Sequence, residues 1–361
     1  MILGLLGGGQ LAQMLALAGH PLGIDTLFID PAADACAARV AHHLHGRFDD
    51  PALLQQLAER ADVVSYEFES VPTTGIEWLA SQIPVYPPPQ ALASGRDRLH
   101  EKQLFGKLGI PTAEYRAVND LEQLLGAVSE LGLPALLKSR REGYDGKGQY
   151  LLRPGASAAE AWQAVGGVEA ILERLVPFQR ELSIIAVRSR EGEIRCYPLS
   201  ENQHRNGILH LSIRRPDDPL QGQAEVLVSG LLQHLDYVGV IALELFAQEG
   251  RLLANEFAPR VHNSGHWTME GALCSQFENH LRAIFGLPLG ATQGSDEVAM
   301  VNFIGHPPAS ADLLAIPGLH LHLYGKEPRS GRKVGHATVR GDTLTTLQQR
   351  IDAVTALLAE G

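Results

Sequence analysis

Cysteine is scarce in this 361-residue chain. The three present, Cys36, Cys196 and Cys274, stand far apart and none forms a Cys-x-x-Cys pair. That spacing argues against a zinc ribbon or a disulfide framework and points to a reducing compartment. Long apolar runs are missing too. None approaches the roughly 20 residues that a membrane-spanning helix needs, so no membrane partner is expected. Met1 leads into Ile2-Leu3-Gly4-Leu5-Leu6 without a basic segment, a start that does not read as a signal peptide. The expected location is the cytoplasm. Positive charge is in deficit: 30 Lys and Arg face 41 Asp and Glu, for a net charge of −11. Nucleic-acid binders normally carry a basic surplus, so no nucleic-acid partner is expected. A local basic pocket for a phosphorylated small molecule stays open. We find no internal repeat and no low-complexity tract.

What is present is an ordinary globular composition, 45% hydrophobic and 20% charged, with an excess of glycine at 37 residues. The length predicts two or three domains. Ile2–Leu6 reads as a strand, Gly7-Gly8-Gly9 as a turn and Gln10–Ala18 as a helix. Thr26–Ile29 and Val63–Tyr66 read as further strands. This alternation predicts a parallel sheet flanked by helices. The proline-rich stretch Pro84–Pro89 marks a boundary. Beyond it we expect a helix over Arg96–Leu108 and strands over Ala135–Lys138, Gln149–Leu152, Glu169–Leu175 and Glu181–Val187. Val238–Phe246 and Arg251–Phe257 read as a hairpin turning at Gln248-Glu249-Gly250. The last seventy residues, roughly, read as strands and turns with a helix at Leu344–Leu358. Together these make an N-terminal α/β domain, a two-lobed centre and a small C-terminal cap.

The first motif has three readings. Gly7-Gly8-Gly9-Gln10-Leu11-Ala12, with Asp30 ending the next strand, matches a dinucleotide fingerprint. Glycines let a phosphate approach a helix N-terminus, so a generic phosphate or substrate contact fits as well. A tight strand-to-helix turn with no ligand also fits.

The stretch Lys138 to Gln149 is more informative. A lysine ends an apolar strand, and a loop with three glycines and further basic residues follows. Backbone N–H groups and lysine charge in such a loop can fold over a polyphosphate. It is not a Walker A loop, because no Gly-Lys-Ser/Thr opens a helix; a solvated surface hairpin is the plain alternative. Glu173-Arg174-Leu175-Val176 offers an apolar edge for an adenine ring, and Glu181 a carboxylate for ribose hydroxyls. A salt-bridged strand edge would look the same. Glu244 and Glu256 lie within apolar strands, where an unpaired carboxylate is expensive. The hairpin turn brings them to similar height, and with Asn255 they suit Mg²⁺ bridged to phosphate; a solvated face paired with arginines is the alternative. Arg260 suits bidentate binding of an anion, while His262 and Asn263 can orient reacting groups or make structural hydrogen bonds. His42, His43 and His45 have no ligand partner at metal spacing and read as surface residues.

At this point the chain resembles the ATP-grasp superfamily, and within it the N5-carboxyaminoimidazole ribonucleotide synthetase family. The resemblance covers nearly the whole chain. It rests on Gly-Gly-Gly-Gln-Leu at 7–11, Tyr-Glu-Phe-Glu at 66–69, Asp-Arg-Leu at 97–99, Gly-Tyr-Asp-Gly-Lys-Gly-Gln at 143–149 and Glu-Asn-Gln-His at 201–204. Tyr-Gly-Lys at 324–326 adds to it, and Asn-Glu-Phe-Ala-Pro-Arg-Val-His-Asn-Ser-Gly-His-Trp-Thr at 255–268 is its most specific block.

The resemblance implies an α/β (α+β) ATP-grasp fold. A Rossmann-like domain would occupy 1–94, an ATP-grasp domain 95–289 with a mobile lid at about 112–174, and a β-rich C-terminal domain 290–361. It implies ATP contacts at Arg98, Lys138, Gly143, Gly146, Lys147, Gly148, Gln149, Glu173, Arg174, Leu175, Val176, Glu181, His204, Asn255 and Glu256. Glu244 and Glu256 would hold magnesium. Tyr144, Asp145, Lys147, Arg260, His262 and Asn263 would serve the chemistry on bicarbonate and aminoimidazole ribonucleotide. Gln10, Leu11, Glu69, Lys326, Arg332 and Lys333 would contact the ribonucleotide, with the choice between Arg329 and Arg332 open. The implied reaction is ATP-dependent carboxylation through carboxyphosphate, by a homodimer. Rival readings are a formate-dependent glycinamide ribonucleotide ligase of the same superfamily, an NAD-dependent oxidoreductase, and an ATP-binding regulatory module.

Overall fold

The computed structural model describes residues 1–141, 148–294 and 296–360. Its first sheet is parallel, in the order His42–His45, Asp25–Asp30, Ile2–Leu6, Val63–Tyr66. Leu3 pairs with Thr26 on one side and Val63 on the other. These strands are short apolar runs, as expected of a sheet covered on both faces. Leu3 and Leu5 face one core and Leu6, Leu27 and Val64 another. The edge strand His42–His45 was not expected from the sequence. Its His42 and His45 are exposed as predicted, but His43 is half-buried, stacked on Phe28 with ring centroids 4.6 Å apart.

The second sheet has nine strands and forms the body of the molecule. Arg251–Ala258 is its edge, followed by Gly239–Gln248, Arg180–Arg188, Leu199–Arg205 and Ile208–Arg215. The C-terminal strands Glu297–Ile304, Lys333–Gly341 and Leu319–Leu323 continue the same sheet, with Leu211 pairing with Val301. So the C-terminal segment extends the central sheet rather than closing one of its own. Leu344–Glu360 packs over it as the final helix.

A third sheet, ordered Tyr115–Val118, Ala170–Arg174, Ala135–Ser139, Gln149–Leu152, makes a separate small lobe. Its core joins Leu124 and Leu131 of the helix Leu121–Leu131 to Leu137 and Leu172. The helix Arg98–Lys107 begins where Asp97 accepts from the N–H groups of Leu99 and His100, a side-chain cap. This helix lies between the lobe and the hairpin and carries residues to both. No helix among the described residues is long and apolar enough to cross a membrane.

Candidate active site between the small lobe and the central sheet

The hairpin places its two acids as its turn requires. Glu249 and Gly250 adopt positive φ, 50° and 75°, and close the turn. Glu244 and Glu256 are then register partners on neighbouring strands, with a bulge directly after Glu244. Each already meets a cationic or polar group. Arg98 Nη1 lies 2.5 Å from Glu256 Oε2. Against the penalty of burial, Arg98, Lys138 and Lys102 hold the Glu256 carboxyl down to about 2. His262 Nε2 lies 3.2 Å from Glu244 Oε1.

Behind the hairpin lies a buried charge cluster. Lys138 Nζ donates to Glu173 Oε2 at 2.9 Å and reaches Asn255 Oδ1 at 3.4 Å. Lys102 donates to the carbonyl of Asn255 at 2.8 Å and lies 3.7 Å from Glu173 Oε1. Burial opposes ionisation of Glu173, yet Lys138 and Lys102 pull its pKa below the usual carboxylate range. Burial lowers Lys102, with Glu173 acting against that. The Glu173 side chain is therefore enclosed between two lysines instead of lining an open edge. Beside it, burial and the charge of Glu256 push Glu101 well up, and Glu101 Oε1 accepts from the N–H of Phe257 at 2.6 Å.

The strand ends at Arg174, and in the segment expected to offer free backbone groups to an adenine ring two N–H groups are engaged. That of Arg174 donates to Glu114 O and that of Leu175 to Pro134 O, at 2.8 and 3.2 Å. The Arg174 side chain pairs with Glu114 on the surface. A cavity of about 480 Å³ lies against this segment, lined by Ala113, Leu133, Leu175, Val176 and Leu253 among others. Glu181 and His204 form a close ion pair. Burial works against the charge, but the Glu181 carboxylate raises the His204 pKa.

Of the glycine loop, Gly143, Tyr144, Asp145, Gly146 and Lys147 lie outside the described residues. Gly148, at φ 68°, accepts from the N–H of Ser139, and Gln149 opens the returning strand. The base of the loop is tied to the capped helix. Asp97 accepts from Arg140 Nη2 at 2.8 Å and from Arg141 Nε at 3.0 Å.

The third group sits where the N-terminal sheet meets the large one. Arg260 Nη2 pairs with Glu69 Oε1 at 2.7 Å. Asn263 and the fully buried Asn302 exchange two amide hydrogen bonds, at 3.1 and 2.5 Å. Gln276 clamps the main chain of His262, accepting from its N–H at 3.0 Å and donating to its carbonyl at 2.7 Å. Lys326 donates to Gln10 Oε1 at 2.6 Å. Burial lowers the Lys326 pKa, and the nearby Arg332 and Lys333 lower it further. Lys326, Arg332 and Lys333 thus gather into one basic group beside Gln10, while Arg329 is exposed. The side chain of Leu11, next to Gln10, belongs to the hydrophobic core, which leaves its main chain for the expected contact.

The glycine turn is also corrected. Gly8 N–H donates to Asp30 Oδ2 and Gly9 N–H to Glu67 Oε1, both at 2.8 Å. Gly7 N–H goes to Ile29 O at 3.0 Å. The N–H groups that a phosphate would need are spent on the protein's own carboxylates. Asp30, the residue that would hold a dinucleotide ribose, caps the turn instead. This speaks against the dinucleotide reading and gives the three glycines a structural part, while the expected substrate contact passes to Gln10 beside Lys326.

Sequence reasoning missed Lys102, Asp97, Arg140, Asn302 and Glu67. The signal for Lys102 was its position one helical turn after Arg98, on the same face. For Asp97 it was a cap residue directly before that helix. Asn302 lies on a distant strand, with nothing local to mark it.

A small antiparallel lobe over a large sheet, with Lys138, the segment through Leu175 and Val176, and the paired glutamates between them, defines an ATP-grasp protein. Three domain models match in succession: a ribonucleotide synthetase preATP-grasp domain at 1–95, an ATP-grasp domain at 103–277, and a phosphoribosylaminoimidazole carboxylase C-terminal domain at 298–350. The chain is 52% identical to N5-carboxyaminoimidazole ribonucleotide synthase of Pseudomonas aeruginosa, covering 99% of each. The crystal structure of the Thermus thermophilus synthetase superposes with a TM-score of 0.94 at 50% identity, covering 99% of this chain and 98% of that one. The Aspergillus clavatus synthase, in complex with ADP and 5-aminoimidazole ribonucleotide, superposes with a TM-score of 0.92 at 31% identity, covering 100% and 99%. The chain belongs to the N5-carboxyaminoimidazole ribonucleotide synthase family.

Proposed function

We propose that the chain uses ATP and bicarbonate to carboxylate the exocyclic amine of 5-aminoimidazole ribonucleotide, a step of purine biosynthesis. The observation that carries this reading is the opposition of Glu244 and Glu256 beside Lys138, with Arg260, His262 and Asn263 following on the same chain exit. One end of the cleft handles polyphosphate charge and the other handles a small anion and an amine.

ATP fits between the lobe and the hairpin. The segment at Leu175 and Val176 would hold the base, and Glu181 the ribose. Lys138 and Arg98 would meet the phosphates, with Lys147, Gly148 and Gln149 covering them. Among the described residues no group of three or more His, Cys, Asp or Glu forms a closed metal site. Two facing carboxylates nevertheless fit magnesium, which usually keeps several waters and takes its other ligands from phosphate. When bound there, it offsets phosphate charge during phosphoryl transfer.

Bicarbonate oxygen would attack the γ-phosphorus, giving carboxyphosphate and ADP. Arg260 would hold that anion once its guanidinium turns from Glu69. Carboxyphosphate would break to CO₂ and phosphate, and the amine would add to the carbon and lose a proton. Asn263 is stiffened for this by its amide pair with Asn302. Lys326, Arg332 and Lys333 would take the 5′-phosphate of the ribonucleotide, and Gln10 would lie beside it. Likeness to the family further supports a cytoplasmic homodimer, checked by sedimentation of the purified chain.

The test is phosphate release from Mg·ATP and bicarbonate with and without aminoimidazole ribonucleotide. Strong stimulation with one carbamate formed per phosphate supports the reading. Stimulation only by formate with glycinamide ribonucleotide would overturn the substrate assignment.

A further inference from the structure

We propose that Ser264, through its main-chain N–H and a hydroxyl aimed by Ser183 and Asn202, fixes His262 as its Nε2–H tautomer beside Glu244. The inference rests on the reading of His262 as a residue of the active site. It concerns groups to which that reading assigns no part.

Three neighbouring strands of the central sheet each send a small polar side chain to one spot beneath His262. Ser183 comes from Arg180–Arg188, Asn202 from Leu199–Arg205 and Ser212 from Ile208–Arg215, where Asn202 and Ser212 are register partners. Ser183, Ser212 and Ser264 are fully buried and Asn202 nearly so. Polar groups inside a sheet core destabilise it unless they are hydrogen-bonded, and an apolar set would fill the same space.

These groups are all paired, and the pairing has a direction. Ser212 Oγ donates to Asn202 Oδ1 at 2.7 Å. Asn202 Nδ2 donates to Ser183 Oγ at 3.0 Å, and Ser183 Oγ donates to Ser264 Oγ at 2.7 Å. Ser264 Oγ, having accepted one proton, turns its own toward His262 Nδ1 at 2.9 Å. Hydroxyls alone could run either way. The tie is broken by the main-chain N–H of Ser264, which also points at Nδ1, at 3.3 Å. An amide N–H can only donate, so Nδ1 carries a lone pair and the ring proton sits on Nε2. That nitrogen lies 3.2 Å from Glu244 Oε1. The other tautomer would set a nitrogen lone pair against a carboxylate oxygen.

The seat of Ser264 is itself fixed. Trp267 Nε1 donates to Ser200 Oγ at 2.8 Å, and Ser200 passes its proton to the Ser264 carbonyl at 3.2 Å. Since indole is a donor only, this side branch is one-way as well. Ser264, Ser183 and Asn202 are therefore positioning residues that act through His262.

The experiment is a long-range ¹H–¹⁵N spectrum of the histidine rings in the ¹⁵N-labelled full-length chain at pH 8, with His262→Gln to assign the signals. The expected result is an Nε2–H pattern for His262. Asn202→Asp keeps the shape but cannot donate to Ser183, so the Ser264 hydroxyl loses its aim while the Ser264 main-chain N–H still holds Nδ1 as an acceptor; the Nε2–H pattern should persist with a shifted Nδ1 resonance. Ser264→Ala should lower kcat for carboxylation on the order of 10–100-fold, with KM for ATP within about twofold, and Ser264→Thr should restore kcat. An Nδ1–H pattern in the wild type would overturn the proposal, and so would wild-type kcat in folded Ser264→Ala. If Ser264→Ala does not fold, the wild-type spectrum decides alone. Absence of ribonucleotide-dependent carboxylation in the wild type would overturn the functional reading instead, because the tautomer is read without substrate.

Discussion

Lys102 shows how much one side chain holds here. It is 2% exposed, and its ammonium is shared between Glu173 and the carbonyls of Ala254 and Asn255. Removing it would leave the buried Glu173 carboxylate undercompensated. Breaking a buried pair from one side typically costs about 3–5 kcal/mol. We expect Lys102→Met to lose stability of about that size, read as a lower midpoint in urea. An unchanged midpoint would mean that Lys138 alone neutralises Glu173. Arg260 tests chemistry rather than stability. It is partly exposed and its partner Glu69 belongs to the N-terminal domain. Arg260→Ala is expected to abolish carbamate formation while some ATP hydrolysis persists, because the polyphosphate contacts lie elsewhere. Parallel assays of phosphate and carbamate check this, and full coupled activity in that variant would remove Arg260 from the site. The sequence exposed Arg260 because it falls in a distinctive block. It hid Lys102 because a helical lysine is ordinarily solvated, and only the packing of the helix against the hairpin shows otherwise.

At the scale of the element, the hairpin and the glycine turn make opposite cases. The hairpin was legible: acids inside apolar strands are conspicuous, and the turn length sets which residues face each other. Glu244 and Glu256 are accordingly register partners. The glycine turn was misleading, because its pattern describes a backbone shape and not what fills it. What fills it comes from two other strand ends, Asp30 and Glu67, at separations of 22 and 58 residues. Sterics agree. A Cβ on Gly8 would lie 2.2 Å from the Phe28 ring, and one on Gly7 or Gly9 would lie 2.7 Å from the Glu67 side chain. Gly8→Ala should therefore destabilise the protein by about 1–3 kcal/mol, the usual range for overpacking, and leave ATP affinity within about twofold. Calorimetric unfolding and nucleotide titration separate the two effects. A tenfold loss of ATP affinity with unchanged stability would return a ligand to the turn. Other elements were illegible for a similar reason. The strands of 290–361 read correctly as strands, but that they join the central sheet depends on Ile208–Arg215 offering an open edge, which no local pattern encodes. The edge strand His42–His45 lacks the β-branched and aromatic residues that mark strands.

At the scale of the whole molecule, one core joins the N-terminal sheet to the large central one. Leu3, Leu11 and Phe28 from the first share a cluster with Val187, Val240 and Phe277 around the second. The polar pin of that joint is His280. Its Nδ1 accepts from the N–H of Val240 at 3.1 Å, and Nε2 bonds Ser65 Oγ at 3.0 Å across the two sheets. Both bonds suit the neutral ring, and burial pushes its pKa down to about 3. An unfolded histidine titrates near 6.5. Between those values the unfolded chain binds a proton that the folded chain refuses, so stability is complete above about pH 6.5 and falls as pH drops toward 3. Burial lowers His266 and His336 in the same direction. His204 works the other way: with its pKa raised by Glu181, its contribution is full below about 6.5 and fades as pH rises. With His210 lowered by burial as well, four buried rings against one paired ring predict a net loss of stability in acid. The wild-type melting temperature should fall between pH 7 and pH 4.5. His280→Asn should melt lower at pH 7, having lost the pin, yet show a shallower fall with acid because the group that refuses the proton is gone. Melting curves of both proteins across that range decide it. Equal slopes would mean that the joint between the sheets is not what acid opens.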